Sequence, residues 1–340
     1  MPKIYTVVLL LLLAQTGLAQ MPVFKWAKAF QADNAYNPSI YSNGRSIGVD
    51  KKGNVYSAGL FNYTIDMDPN AGKYDMSGGS PYQYGIYISK LDSSGNFVWA
   101  KQIPTTVEFA EIALRVDGNG NVYVASEIMN AADMDPGPGI LMMSPIGFKN
   151  AFVIKLDTNG NLVWAKTFGG PGDTGAEATN LEVDKNGNVI LCGLFNNTVD
   201  FDPGPATFNI TSTAHIQSFI VKLNSNGDLV WAKQFGNSPR VYSGSSITDV
   251  RCDTQGNIYT TGEFTGACDF DPGPGVDTMK ANSMQNGFIA KLTGNGDFIW
   301  AKQLASKTGD YYERVTPRAI AVDGMNNIVT TGWFNGTYDF

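Results

Sequence analysis

The stretch "KLDTNGNLVWAKTFGG" occupies Lys155–Gly170. A run ending at Leu156 and another beginning at Leu162 alternate or carry β-branched residues, the pattern of a half-buried strand. Between them lies Asp157–Asn161. Glycine near the end of so short a connection supplies a positive φ, and an Asp at its start can accept hydrogen bonds from the turn amides. The stretch therefore predicts a tight antiparallel hairpin. It also recurs. Trp26, Trp99, Trp164, Trp231 and Trp300 each stand in a Trp-Ala-Lys context, at intervals of 73, 65, 67 and 69 residues. A period of this size marks supersecondary units that bury their apolar faces against their neighbours.

One unit can be read between Thr179 and Phe235: "TNLEVD", "NVILCGLF", "SFIVKLN" and "DLVWAKQF". Asp184–Asn188 joins the first two segments and Asn224–Asp228 the last two, again as D/N-x-x-G-N/D turns. Four antiparallel strands per unit, repeated radially, predict an all-β fold, a β-propeller of four-stranded blades. Repeats are expected over 45–101, 112–166, 179–233 and 246–302, with a partial one over 318–340 and an N-terminal outermost strand over 23–30. That count gives four full blades plus partial terminal strands, an open or C-terminally truncated propeller prone to associate through its free edge.

The Lys155–Gly170 motif and its copies resemble bacterial β-propeller repeats of the SBBP type, found in exported proteins. Thr198–Ser212 ("TVDFDPGPATFNITS") resembles a version common in Bacteroidetes surface and secreted proteins. A weaker resemblance is to the tryptophan-docking repeat of quinoproteins. It implies that Trp99, Trp164, Trp231 and Trp300 wedge between adjacent blades, each burying about 150–250 Å².

Residues 1–20 have the layout of a secretory signal peptide: Lys3, an apolar run over Val7–Ala14, and small residues before Gln20. The apolar run is shorter than the roughly 20 residues a membrane span needs. Residues 21–340 are then the propeller domain of a secreted or cell-surface protein. A net charge of −7 argues against a nucleic-acid partner, which demands clustered Lys and Arg. Cys192 stands where other repeats carry Ala or Thr and reads as a core residue, whereas Cys252 and Cys268 could pair in an oxidising compartment.

"DFDPGPG" (Asp269–Gly275) recurs as "DFDPGPA" (Asp200–Ala206), "DMDPGPG" (Asp133–Gly139) and the degenerate "DMDPNAG" (Asp66–Gly72). Residues two apart in an extended chain point the same way, so Asp133 with Asp135, Asp200 with Asp202, and Asp269 with Asp271 project together. Two readings stand. The aspartates are partial calcium shells, short of the six to eight oxygens calcium takes, or they cap a Pro-Gly turn while Phe201 plugs the blade edge. The turn is favoured, and no other cofactor is expected.

Minimal turns at one end of the blades and long connections at the other place the working surface on the long-loop end. Glu263–Gly287 is expected to be a long loop between the second and third strands of a blade. Thr167–Ala178 is expected to be one between blades. Tyr36, Tyr242, Tyr311 and Tyr312 are candidate contacts there, since aromatics are enriched at interfaces. His215 is the only histidine, with no Ser or Cys nucleophile beside it, which argues against a catalytic triad. The expected function is non-catalytic binding of an extracellular protein or glycan. The alternatives are a structural spacer of a larger surface protein and, less favoured, a hydrolase or quinoprotein-like enzyme.

Overall fold

The computed structural model describes residues 24–32, 42–78, 84–105, 110–213, 215–236 and 244–339. Residues 1–20, read above as a signal peptide, and the candidate contacts Tyr36 and Tyr242 lie outside them. The described residues form strands and turns without a helix. Four antiparallel blades follow the four repeats, each with strands a to d in chain order and in spatial order. The first comprises Ser42–Val49, Val55–Phe61, Tyr84–Leu91 and Phe97–Thr105. The second comprises Ala113–Val116, Val122–Ile128, Gly147–Leu156 and Leu162–Phe168. The third has Gly172–Val183, Val189–Phe195, Gln217–Leu223 and Leu229–Phe235. The fourth has Gly244–Cys252, Ile258–Thr265, Asn286–Leu292 and Phe298–Ser306. A last pair, Arg314–Val322 and Ile328–Asn335, supplies strands a and b of a further unit.

The a strands of successive blades stand side by side. Leu114 N donates to Ser46 Oγ at 3.0 Å, Thr179 Oγ1 to Ile247 O at 2.9 Å, and Thr248 Oγ1 to Pro317 O at 2.8 Å. Within a blade, a meets b so closely that one position on b is restricted. A Cβ on Gly59, Gly193, Gly262 or Gly332 would fall 2.1, 1.9, 2.0 or 2.3 Å from a carbonyl oxygen of strand a. Each lies beside a register shift in the a–b ladder. The second blade carries Ser126 at this position. Its Oγ donates to Glu111 O at 2.7 Å, and strand a there begins only at Ala113. A side chain at that point shortens the ladder.

Between blades the seam is built from the motif that defines the repeat. Trp99 Nε1 and Lys90 Nζ both donate to Thr158 O in the c–d turn of the next blade, at 3.1 and 3.0 Å. Trp164 and Lys155 share Ser225 O in the same way, and Trp231 and Lys222 share Gly294 O. The indole lies against the positive-φ glycine of that turn: a Cβ on Gly160, Gly227 or Gly296 would come within 3.2 Å of Trp99, Trp164 or Trp231. These tryptophans are partly buried, on the outermost strand of each blade. Trp300 packs edge-on against Tyr259 of its own blade.

Two points of the sequence reading need correction. Residues 24–30 are not a strand, and only Gln31–Ala32 pairs, with Asp66 and Ile65. They still hold the position of a strand d. Trp26 Nε1 donates to Ser93 O at 3.1 Å and lies over Gly95, as Trp99 does over Gly160. No strand c lies beside them among the described residues, so nothing imposes a ladder. Cys252 and Cys268 do not pair. All three cysteines are free thiols, and these two lie at opposite ends of the fourth blade, one beside the a–b turn and the other in the b–c connection. Cys192 is buried as expected, and burial pushes its thiol up to about 12.

Candidate functional site

The two ends of the blades differ in chemistry. At the turn end, each D-x-x-G-N connection closes on itself. Asp157 Oδ1 accepts from Asn159 N and Asn161 N at 2.8 and 2.9 Å, and Asp157 Oδ2 accepts from Asn161 Nδ2 at 3.0 Å. The turns at Asp50, Asp92, Asp117, Asp184, Asp253 and Asp323 repeat this arrangement. At the other end, every full blade carries a small two-stranded ribbon between b and c, pairing for example Thr198–Asp200 with Asn209–Thr211. The D-x-D-P-G sequence forms its tip.

That tip is a hydrogen-bonded turn. Asp200 Oδ1 accepts from Asp202 N at 3.0 Å and Phe208 N at 2.8 Å, and Asp202 Oδ1 accepts from Gly204 N at 2.7 Å. Asp133 with Asp135, and Asp269 with Asp271, make the same bonds at matching offsets. The intervening residue turns inward: Met67, Met134, Phe201 and Phe270 are fully buried. Phe201 meets Phe168 of the preceding blade and Phe195 and Phe219 of its own, with ring centroids 6.1, 5.5 and 4.9 Å apart. Among the described residues no group of three His, Cys, Asp or Glu side chains could hold a metal ion.

Turn and metal roles separate experimentally. Asp200→Ala removes the acceptor of two amides and should cost about 1–2 kcal/mol. Asp200→Asn keeps an acceptor and should melt close to wild type, with chelator changing neither. Calcium binding would instead make Asn as damaging as Ala and give wild type a melting temperature that rises with millimolar calcium.

The long-loop end also holds a two-lobed recess where the second, third and fourth blades meet. Its first lobe, about 190 Å³, is lined by Phe148, Lys149, Glu177, Asn196, His215 and Ile216 among others. The second, about 520 Å³, shares Leu194, His215 and Ile216 with it and continues to Glu263 and Gln285. The first lobe exists because strand c of the second blade pairs in parallel with strand a of the third, Gly147 opposite Gly172 and Lys149 opposite Gly175. Gly147 permits this approach, since a Cβ there would lie 2.1 Å from Gly170 O. The same pairing carries strand a back to Gly172, so the long inter-blade loop expected over Thr167–Ala178 is reduced to Gly169–Pro171.

Lys149 lies in this lobe between two carboxylates. Its Nζ is 3.0 Å from Glu127 Oε2 and also bonds Glu177. Burial opposes the charge on Lys149, but the bonds and charges of Glu177 and Glu127 outweigh it and hold the ammonium above its usual range. Burial raises Glu127, and Lys149 only partly offsets this. In the second lobe, Gln285 Nε2 donates to Glu263 Oε2 at 2.5 Å and to Thr316 Oγ1 at 2.8 Å. Glu127 and Glu263 occupy one repeat position on strand b, where the first and third blades carry Leu60 and Leu194. The departure from Leu is visible in the aligned repeats, yet the acidic pair was missed because a lone Glu in a strand reads as solvated.

A second charged cluster is also built from departures between repeats. Arg115, Glu182 and Arg251 sit two residues before the a–b turn Asp, where the first and last units carry Gly48 and Ala321. Buried Asp249 accepts from Asn180 Nδ2 and Ile320 N, both at 2.8 Å, and from Arg251 Nη1 at 2.5 Å. Arg115 reaches Asn180 Oδ1 at 3.1 Å and Glu182 Oε2 at 3.4 Å. Its charges answer one another across the inner strands and bind the blades together. Tyr311 and Tyr312 lie at the loop end, largely exposed and edge-to-face at 81°. Met284 N donates to Tyr311 O at 2.8 Å, which sets them beside Gln285 and the second lobe.

No family model matches the chain. Over 276 residues it is 26% identical to an uncharacterised WD repeat-containing protein of Acanthamoeba polyphaga mimivirus, covering 72% of this chain and 19% of that protein. The chain is a repeat propeller. It spans under a third of that relative's length, and the likeness bears on fold. A crystal structure of a duf4221 family member from Bacteroides vulgatus aligns over 88% of this chain and 94% of that one, at 10% identity and a TM-score of 0.31. That score is too low to support an argument.

Proposed function

We propose that this propeller is a non-catalytic binding module of an exported or cell-surface protein, and that it takes a protein partner at its long-loop end. The observation that carries this reading is the two-lobed recess, with Phe148 and Ile216 57% and 48% exposed at its rim. Exposed apolar side chains grouped around a concave surface mark interaction sites. The turn end also has a recess, of about 490 Å³, but polar turn residues such as Asp117, Asn119, Asp184 and Asn186 line it in place of exposed apolar ones. A protein is favoured over a glycan because sugar rings need a flat aromatic platform. Tyr311 and Tyr312 are crossed, and among the described residues Phe148 is the one exposed aromatic lining the first lobe, Phe195 being buried. A pure spacer would have no use for apolar side chains held open at this rim. The SBBP-type resemblance and the N-terminal signal pattern support export.

The test is selection of a random 12-residue peptide display library and a glycan array against wild type, a Phe148→Asp/Ile216→Asp double variant, and a turn-end control, Asn186→Ala. Exposed substitutions of this kind shift stability by roughly 0.5 kcal/mol or less, so all three should fold. Peptides should be selected by wild type and the control and lost in the double variant. Selection indifferent to the double variant, or glycan binding alone, would overturn the reading.

A further inference from the structure

The recess has a definite charge pattern, which goes beyond its being a binding surface. In the first lobe Lys149 is shared by Glu177, which lines the lobe, and by buried Glu127 behind it, two carboxyl groups to one ammonium. In the second, Glu263 faces the neutral amide of Gln285, and among the described residues no Lys or Arg lines the lobe. The two lobes are separated by a saddle of Leu194, His215 and Ile216, common to both. Arg314, on the neighbouring strand, lines neither lobe. Its Nη2 lies 2.6 Å from the Met284 sulfur. A saddle of the aliphatic Leu194 and Ile216 with the His215 imidazole beside them, set between two carboxylate-bearing lobes, is complementary to a cationic ligand with an apolar centre.

From this we infer that the occupant is a peptide segment with a Lys or Arg side chain on each side of an apolar residue. The apolar side chain seats against Leu194 and Ile216, and each basic side chain enters one lobe. Long basic side chains suit such lobes, since their methylene stems cover the apolar walls while the charged head reaches the carboxylate. Opposite charges across an interface set partner choice and speed association. Acidic ligands are excluded by the same carboxylates.

This inference rests on the proposed binding role, and one experiment separates the two. Peptides selected by the wild-type protein are sequenced, and their binding is measured by fluorescence anisotropy on wild type, Glu263→Gln, Glu177→Gln/Glu263→Gln and Phe148→Asp/Ile216→Asp. The selected peptides should carry Lys or Arg flanking Leu, Ile or Met. Each Glu→Gln change should weaken them by about tenfold, and raised salt should weaken the wild-type complex more than that of the doubly neutralised variant. Glu263→Gln leaves the Lys149 ion pairs intact, so it tests the charge even if the double variant is destabilised. Peptides that need Phe148 and Ile216 but are acidic or uncharged would overturn the ligand class and leave the binding role standing. Failure to select any peptide, or peptides indifferent to Phe148→Asp/Ile216→Asp, would overturn both.

Discussion

Gly193→Ala should cost about 3 kcal/mol or more, at the upper end of what overpacking a core does. A methyl group there would fall 1.9 Å from Glu177 O and 2.7 Å from Phe219 Cε1. The first neighbour is backbone held in the ladder at Ala176, Glu177 and Ala178, so it cannot step aside as a side chain would. Gly256→Ala is the matched comparison. Gly256 has φ +87° with nothing within 4 Å of its would-be Cβ, so that change carries only the left-handed conformational cost of about 1–2 kcal/mol. Urea denaturation of the two variants decides the matter. If Gly193→Ala were no worse than Gly256→Ala, strand a would be free to retreat and the close a–b contact would not govern the blade.

Trp164→Ala should be the most damaging change on the outer strands, at about 3 kcal/mol, the low end for large aromatic truncations because the indole is half-buried. It removes the bond to Ser225 O, the cover over Gly227 and the edge contact with Tyr123, whose ring centroid lies 6.1 Å away. Lys155 would keep the shared carbonyl satisfied at 3.3 Å, which limits the loss. Tyr312→Ala, at an exposed aromatic, should change stability by no more than about 0.5 kcal/mol. Equal effects at Trp164 and Tyr312 would show that the seam does not rest on the tryptophan.

Much of this architecture could be read from the residues, and the parts that could not share a cause. The turns were legible because Asp, Gly and Asn at fixed offsets leave the backbone one economical conformation. The inward turn of Phe201 was legible because alternation along a strand is a local rule. Residues 24–30 carry the outer-strand sequence, yet strand geometry comes from a partner's ladder and no sequence feature of that segment supplies one. The acidic lobes were hidden for a similar reason. Glu127 is conspicuous only once the parallel pairing of Gly147–Lys149 with the third blade delivers Lys149 beside it, a contact between chain segments that local pattern does not encode.

Each full repeat carries both halves of the seam: a Lys and a Trp that reach forward, and a turn carbonyl and glycine that receive them from behind. A duplicated repeat therefore arrives with a ready fit to whatever precedes it and whatever follows. Genes built this way can gain or lose units by recombination in frame without redesigning any contact. Under the proposed binding role, specificity can drift meanwhile at strand-b positions such as Glu127, Leu194 and Glu263, which the seam never touches.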